Sequence, residues 1–96
     1  MGPSRHFHAD QHGHSITVTV RGGGRTAEIE VLVDGKEVCL ERTRGRGTVA
    51  LEAELPEDPP RSFRVFVHRP RLGSGVLRCA LELDSTEIPM AERAAV

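Results

Sequence analysis

Residues 26–42 read Thr-Ala-Glu-Ile-Glu-Val-Leu-Val-Asp-Gly-Lys-Glu-Val-Cys-Leu-Glu-Arg. Apolar and charged side chains alternate on both sides of Asp34-Gly35, the two-residue signal of a tight antiparallel hairpin. A hairpin must place inward residues opposite inward residues, because a slip of one residue turns every side chain to the other face. Closing the turn between Val33 and Lys36 sets Val31 opposite Val38 and Ile29 opposite Leu40. In this register Glu28 faces Glu41, and Cys39 points outward.

The same period-two pattern runs outward from this hairpin. Candidate strands cover 15–21, 26–33, 36–42, 48–55, 62–69, 76–83 and 86–90, separated by short segments rich in Gly, Pro and Asp. Closing Leu83 to Thr86 around Asp84-Ser85 sets Leu81 opposite Ile88 and Cys79 opposite Met90. The Gly22–Arg25 loop, closed between Arg21 and Thr26, sets Val18 opposite Ile29. No stretch has 3.6-residue periodicity long enough for a helix. The expected fold is all-β: a compact antiparallel β-sandwich or small barrel of six to seven strands with mainly meander connections. An immunoglobulin-type Greek key needs longer crossing connections than these. Residues 1–14 lack alternation and read as a flexible His-rich arm, residues 15–91 as a single domain and residues 92–96 as a frayed tail.

Composition narrows function by exclusion. The 96 residues carry 13 Lys and Arg against 14 Asp and Glu, a net charge of −1 that argues against a general nucleic-acid binder. No window approaches the roughly 18 apolar residues of a membrane helix, and the start has no signal-peptide pattern, so the expectation is a cytoplasmic protein without membrane contact. The aromatic residues are three Phe, with no Trp or Tyr, too few for a stacking platform. Cys39 and Cys79 are read as reduced thiols rather than a disulfide or zinc framework.

Three surface features carry candidate chemistry. The outward residues form a charge-polarised sheet face, Glu28, Glu30, Glu37, Glu41, Glu52 and Glu54 on one half, Arg64, Phe66 and Arg78 on the other. Glu52 faces Arg64 across the boundary, and Phe66 is an outward aromatic that the arm could cover through Phe7. This face suits an unknown protein partner or self-association; the plain alternative is a solvated acidic face. Arg42, Arg44, Arg46, Arg69 and Arg71 fall on two connections at one end of a meander, a candidate anion or nucleic-acid contact against a background of scattered surface Arg. His6, His8, His12 and His14, with Asp10 between the pairs, could hold Zn, Ni or Cu if the arm became ordered; otherwise the arm is a solvated tail.

Catalytic signatures are lacking. The Ser residues at 4, 15, 62, 74 and 85 lie in loops or at strand ends, His68 has no carboxylate nearby in sequence, and Gly22-Gly23-Gly24 lacks the Lys of a phosphate loop. The expectation is a small non-catalytic binding domain with no required cofactor.

Overall fold

The computed structural model describes residues 4–22, 25–70 and 76–93. Among them nine strands and no helix are found: β1 (Ser4–Gln11), β2 (His14–Arg21), β3 (Thr26–Val33), β4 (Lys36–Arg44), β5 (Gly47–Leu55), β6 (Arg61–Arg69), β7 (Arg78–Leu83), β8 (Thr86–Pro89) and β9 (Ala91–Arg93). Two antiparallel sheets form a sandwich, one ordered β4-β3-β2-β1-β9 and the other β5-β6-β7-β8. Each sheet is a four-stranded meander, and β9 returns to the first sheet to pair with β1.

The alternation explains the core. Ile16, Val18 and Val20 of β2, Ala27, Ile29, Val31 and Val33 of β3, Leu51 and Leu55 of β5, Phe63, Val65 and Val67 of β6, and Cys79, Leu81 and Leu83 of β7 are all buried. These are the inward residues the sequence pattern assigns. The turn at Asp84-Ser85 closes as expected, with Leu83 opposite Thr86 and Leu81 opposite Ile88. Both turn residues have positive φ, as do Asp34 and Gly35, and His12 and Gly13. All three are two-residue hairpins, and all three lie at the same end of the sandwich.

Four expectations are corrected. First, residues 4–11 form strand β1, paired along its full length with β2, rather than a flexible arm. Its inward positions are Arg5, Phe7 and Ala9, so Phe7 alone supplies a large apolar side chain; it is buried opposite Val18 and lines one groove together with Phe66. Second, residues 92 and 93 of the expected tail are part of β9, and 94–96 lie outside the described residues. Pro89 has no N–H to continue the β7–β8 ladder, and Met90, whose N–H donates to the Cys79 carbonyl at 3.0 Å, is buried where the chain changes sheets. With β1 and β9, the strands number nine rather than six or seven. Third, the β2–β3 loop is wider than expected, with Arg21 opposite Glu28 and Val18 opposite Val31. The shift is an even number of residues, so the inward set is unchanged.

The fourth correction concerns β4. The Val33–Lys36 closure holds, but a β-bulge follows: Leu32 pairs with Glu37, Val31 with Cys39, and Val38 has no opposite residue. Beyond the bulge the phase is reversed. Cys39 packs partly buried against the core, Leu40 turns outward opposite Glu30, and Glu28 meets Arg42 instead of Glu41. Two physical terms favour this. A like-charge opposition becomes an opposite-charge pair, worth about 0.2–1 kcal/mol. β4 is also the edge strand of the first sheet, where Glu41 on the inner side remains exposed, so turning Leu40 inward offers little burial. Bulges commonly blunt exposed edges in this way.

Substitutions separate the two registers. Ile29 is 0% exposed and Leu40 is 50% exposed. Ile29→Ala is therefore expected to cost about 2–5 kcal/mol in urea unfolding, and Leu40→Ala about 0.5 kcal/mol or less; comparable losses at the two sites would restore the unbulged register. Ser85 has φ 63°. Ser85→Gly is expected to raise stability by about 0.5–1 kcal/mol by relieving that conformation, and a loss on the same unfolding curve would contradict it.

Candidate binding surfaces

Each sheet presents one outer face, and the two look in opposite directions. Reading across strands, the outer face of the first sheet carries Ser4, Arg21, Glu28 and Arg42 in one row, Arg93, His6, Thr19, Glu30 and Leu40 in the next, and Ala91, His8, Thr17, Leu32 and Glu37 in a third. Glu28 and Glu30 are paired from within this face. Arg21 lies 3.4 Å from Glu28 and 3.2 Å from Glu30, and Arg42 lies 3.5 Å from Glu28. A hydrogen bond with Glu30 raises the Glu37 carboxyl above its ordinary range, with smaller contributions from desolvation and the nearby carboxylates.

The outer face of the second sheet is organised differently. Its central row is apolar: Ala50, Phe66, Ala80 and Pro89. Toward the hairpin end lies an acidic row, Glu52, Arg64, Glu82 and Glu87; toward the opposite end lies Thr48, His68 and Arg78. Arg64 donates to Glu52 at 3.0 Å, the cross-strand pair expected from the sequence. His68 Nδ1 lies 3.0 Å from the Thr48 hydroxyl, so its partner is a hydroxyl rather than a carboxylate. Between β7 and the chain leaving β8, a groove of about 720 Å³ is lined by Phe66, His68, Arg78, Ala80, Pro89 and Met90 among others.

The single polarised face expected from the sequence is thus divided. Glu28, Glu30 and Glu37 are on the first sheet; Glu52, Glu54, Arg64, Phe66 and Arg78 are together on the second; Glu41 has the inner phase of edge strand β4. The reason is the Gly45-Arg46 connection, which carries the chain from one sheet to the other between β4 and β5. Alternation reports inside and outside but does not report which sheet a strand joins.

The two ends also differ. At the hairpin end, His14 Nδ1 bonds Asp34 Oδ2 at 2.7 Å, and its Nε2 lies 3.3 Å from Glu57. Arg61 joins Glu57 and Asp84, and His12 lies 3.6 Å from Asp84. This clasp links turns of the first sheet to turns of the second. The sequence pattern does not show it, because residues 1–14 lack alternation and the two-residue turn His12-Gly13 between Gln11 and His14 is hidden there. The opposite end is basic. Arg44 ends β4 and Arg46 lies in the β4–β5 connection, and the buried Arg69 donates to the Gly45 carbonyl. Arg42 lies farther along β4 against Glu28, and Arg71 lies outside the described residues.

The four histidines do not form one cluster. His6 and His8 face outward on β1, their Nδ1 atoms 3.1 and 3.3 Å from the hydroxyls of Thr19 and Thr17, and His8 Nε2 lies 2.8 Å from Asp10. His12 and His14 belong to the hairpin-end clasp. Among the described residues, no three His, Cys, Asp or Glu side chains are placed to hold a metal ion. Burial, aided by Glu92, pushes the Cys79 thiol up to about 12, and Cys39 is raised by burial and then by Glu41 and Glu37. Comparison with known protein families, curated proteins and solved structures finds no match.

The clasp has a defined pH dependence. The hydrogen bond to Asp34 is the largest cause raising the His14 pKa, and the bond from His14 is the largest cause lowering that of Asp34. The His14 contribution is complete below the ordinary imidazole value and is lost as pH rises through the raised value; that of Asp34 is complete above the ordinary carboxylate value and is lost as pH falls through the depressed one. The melting temperature is expected to fall as pH rises from the ordinary imidazole range through the raised His14 value, with a shallower fall in His14→Gln. An unchanged slope in the variant, measured by circular dichroism, would remove His14 from the clasp.

Proposed function

We propose that this protein is a non-catalytic interaction domain whose contact surface is the outer face of the β5–β8 sheet, and that the occupant of this face is a second copy of the chain. The supporting observation is the order of rows on that face: an apolar stripe through Phe66 lies between a mainly acidic row and a row ending in Arg78. A two-fold axis along the stripe lays Phe66 against its counterpart and exchanges the flanking rows, so Glu82 of one copy meets Arg78 of the other. An axis along the strands sets acidic residues against acidic residues and is disfavoured. The near-neutral net charge places no general repulsion between copies.

The non-catalytic part of the reading rests on the thiols and His68. Both cysteines are held away from the thiolate form, and His68 is paired with a hydroxyl rather than oriented by a carboxylate.

Sedimentation velocity across a concentration and salt series tests the proposal. A monomer–dimer equilibrium that weakens as salt rises is expected. Phe66→Ala should weaken it about tenfold or more, Arg78→Glu should weaken it as well, and Arg78→Glu combined with Glu82→Arg should recover part of the loss. A monomer at all concentrations, or a dimer indifferent to Phe66→Ala, would overturn it.

A further inference from the structure

A sheet leaves unpaired N–H and C=O groups along both of its outer strands, and such an edge accepts a further strand unless it is short, bulged or interrupted by proline. Three of the four edge strands here are blunted in one of these ways. β9 has three residues, β8 has four and ends at Pro89, and β4 carries the bulge at Val38. β5 is the exception. Its nine residues contain no proline and pair in unbroken register with β6, from Gly47 opposite Arg69 to Leu55 opposite Arg61. Among the described residues, no strand pairs with its other side.

The margin beside β5 has a chemistry of its own. On the inner side, Val49 and Ala53 are only partly buried, and Val38, 41% exposed, lies with Ala53 in a groove of about 650 Å³. The charged lining of that groove is Glu52, Glu54, Glu82 and Asp84 against Arg64. Arg64 bonds Glu52, whose side chain remains 72% exposed, and Arg61 holds Asp84. Glu54 faces Ser62 and has no ion pair among the described residues. A strand laid along β5 in the phase of the sheet has one set of side chains beside Val49, Leu51 and Ala53 and the alternate set beside Glu52 and Glu54. Apolar residues suit the first set and cations the second, and the two Glu disfavour an acidic strand.

We propose that the free edge of β5 is a docking site for an extended segment of a partner protein in which apolar residues alternate with Lys or Arg, held by main-chain hydrogen bonds along 49–54 and selected by Glu52 and Glu54. The edge points sideways from the sheet, whereas the Phe66 stripe lies on its outer face, so either proposal can fail alone.

The test is an NMR titration of the isotope-labelled full chain with capped hexapeptides as probes. Alternating Lys-Val is expected to give saturable shifts centred on the β5 amides. Its alternating Glu-Val counterpart, and a peptide of three lysines followed by three valines, should each bind at least about tenfold more weakly. N-methylation of every residue of the Lys-Val peptide removes its ladder donors and should abolish binding. Glu52→Lys combined with Glu54→Lys, both at exposed positions and checked for folding by the spectrum, should reverse the preference, so that Glu-Val binds and Lys-Val does not. Non-saturable shifts, shifts centred away from β5, equal binding of the block or N-methylated peptide, or a folded double variant that keeps the Lys-Val preference would each overturn the proposal. Protection of the β5 amides from exchange that grows with protein concentration in the absence of peptide would overturn it as well, assigning the edge to a second copy.

Discussion

One layer of side chains, shared between two sheets, fixes the remainder of this structure. Neither meander can bury its apolar face alone, so the inward residues of β1–β4 and β5–β8 must meet. The chain accomplishes this with two changes of sheet, at Gly45-Arg46 and at Met90. Because successive residues point to opposite sides of a strand, the same layer dictates where the outward chemistry goes: onto two faces that look away from each other. Short antiparallel connections then gather alternate turns at each end. Asp34, Glu57 and Asp84 come together at one end, and Arg44, Arg46 and Arg69 at the other. A chain with almost no net charge thereby acquires an acidic end clasped by histidines and a basic end.

The core was legible because strand alternation is strong from Ile16 to Leu83 and two hairpins carry explicit turn signals, Asp34-Gly35 and Asp84-Ser85. The Glu52–Arg64 pair followed from the same register logic. β1 was not legible, since its outward residues are His6, His8 and Asp10 while its inward ones are Arg5, Phe7 and Ala9. Such a strand is held by its neighbours' ladders and by the burial of Phe7, neither of which leaves a pattern of period two. The bulge at Val38 was hidden for a different reason. At an edge strand the balance between registers is a matter of fractions of a kcal/mol in cross-strand pairing, and no local motif announces it.

That bulge reshapes the candidate sites. In the unbulged register, Glu28 and Glu41 form a like-charged pair that an external partner would have to offset. With Arg42 opposite Glu28 and Arg21 reaching both Glu28 and Glu30, the first sheet pairs these two acids from within. Attention therefore moves to the second sheet, where the Phe66 stripe has charged rows of differing sign on either side. The stripe is anchored in the core: Val65 and Val67 flank Phe66 and are fully buried.

The account is tested most directly by a backbone NOE experiment on β3 and β4, because the division of the outward residues depends on that register. Contacts linking Val31 with Cys39 and Glu28 with Arg42 are the result it requires. Contacts linking Val31 with Val38 and Glu28 with Glu41 would contradict it, returning Leu40 to the interior and leaving the first sheet with an opposed acidic pair.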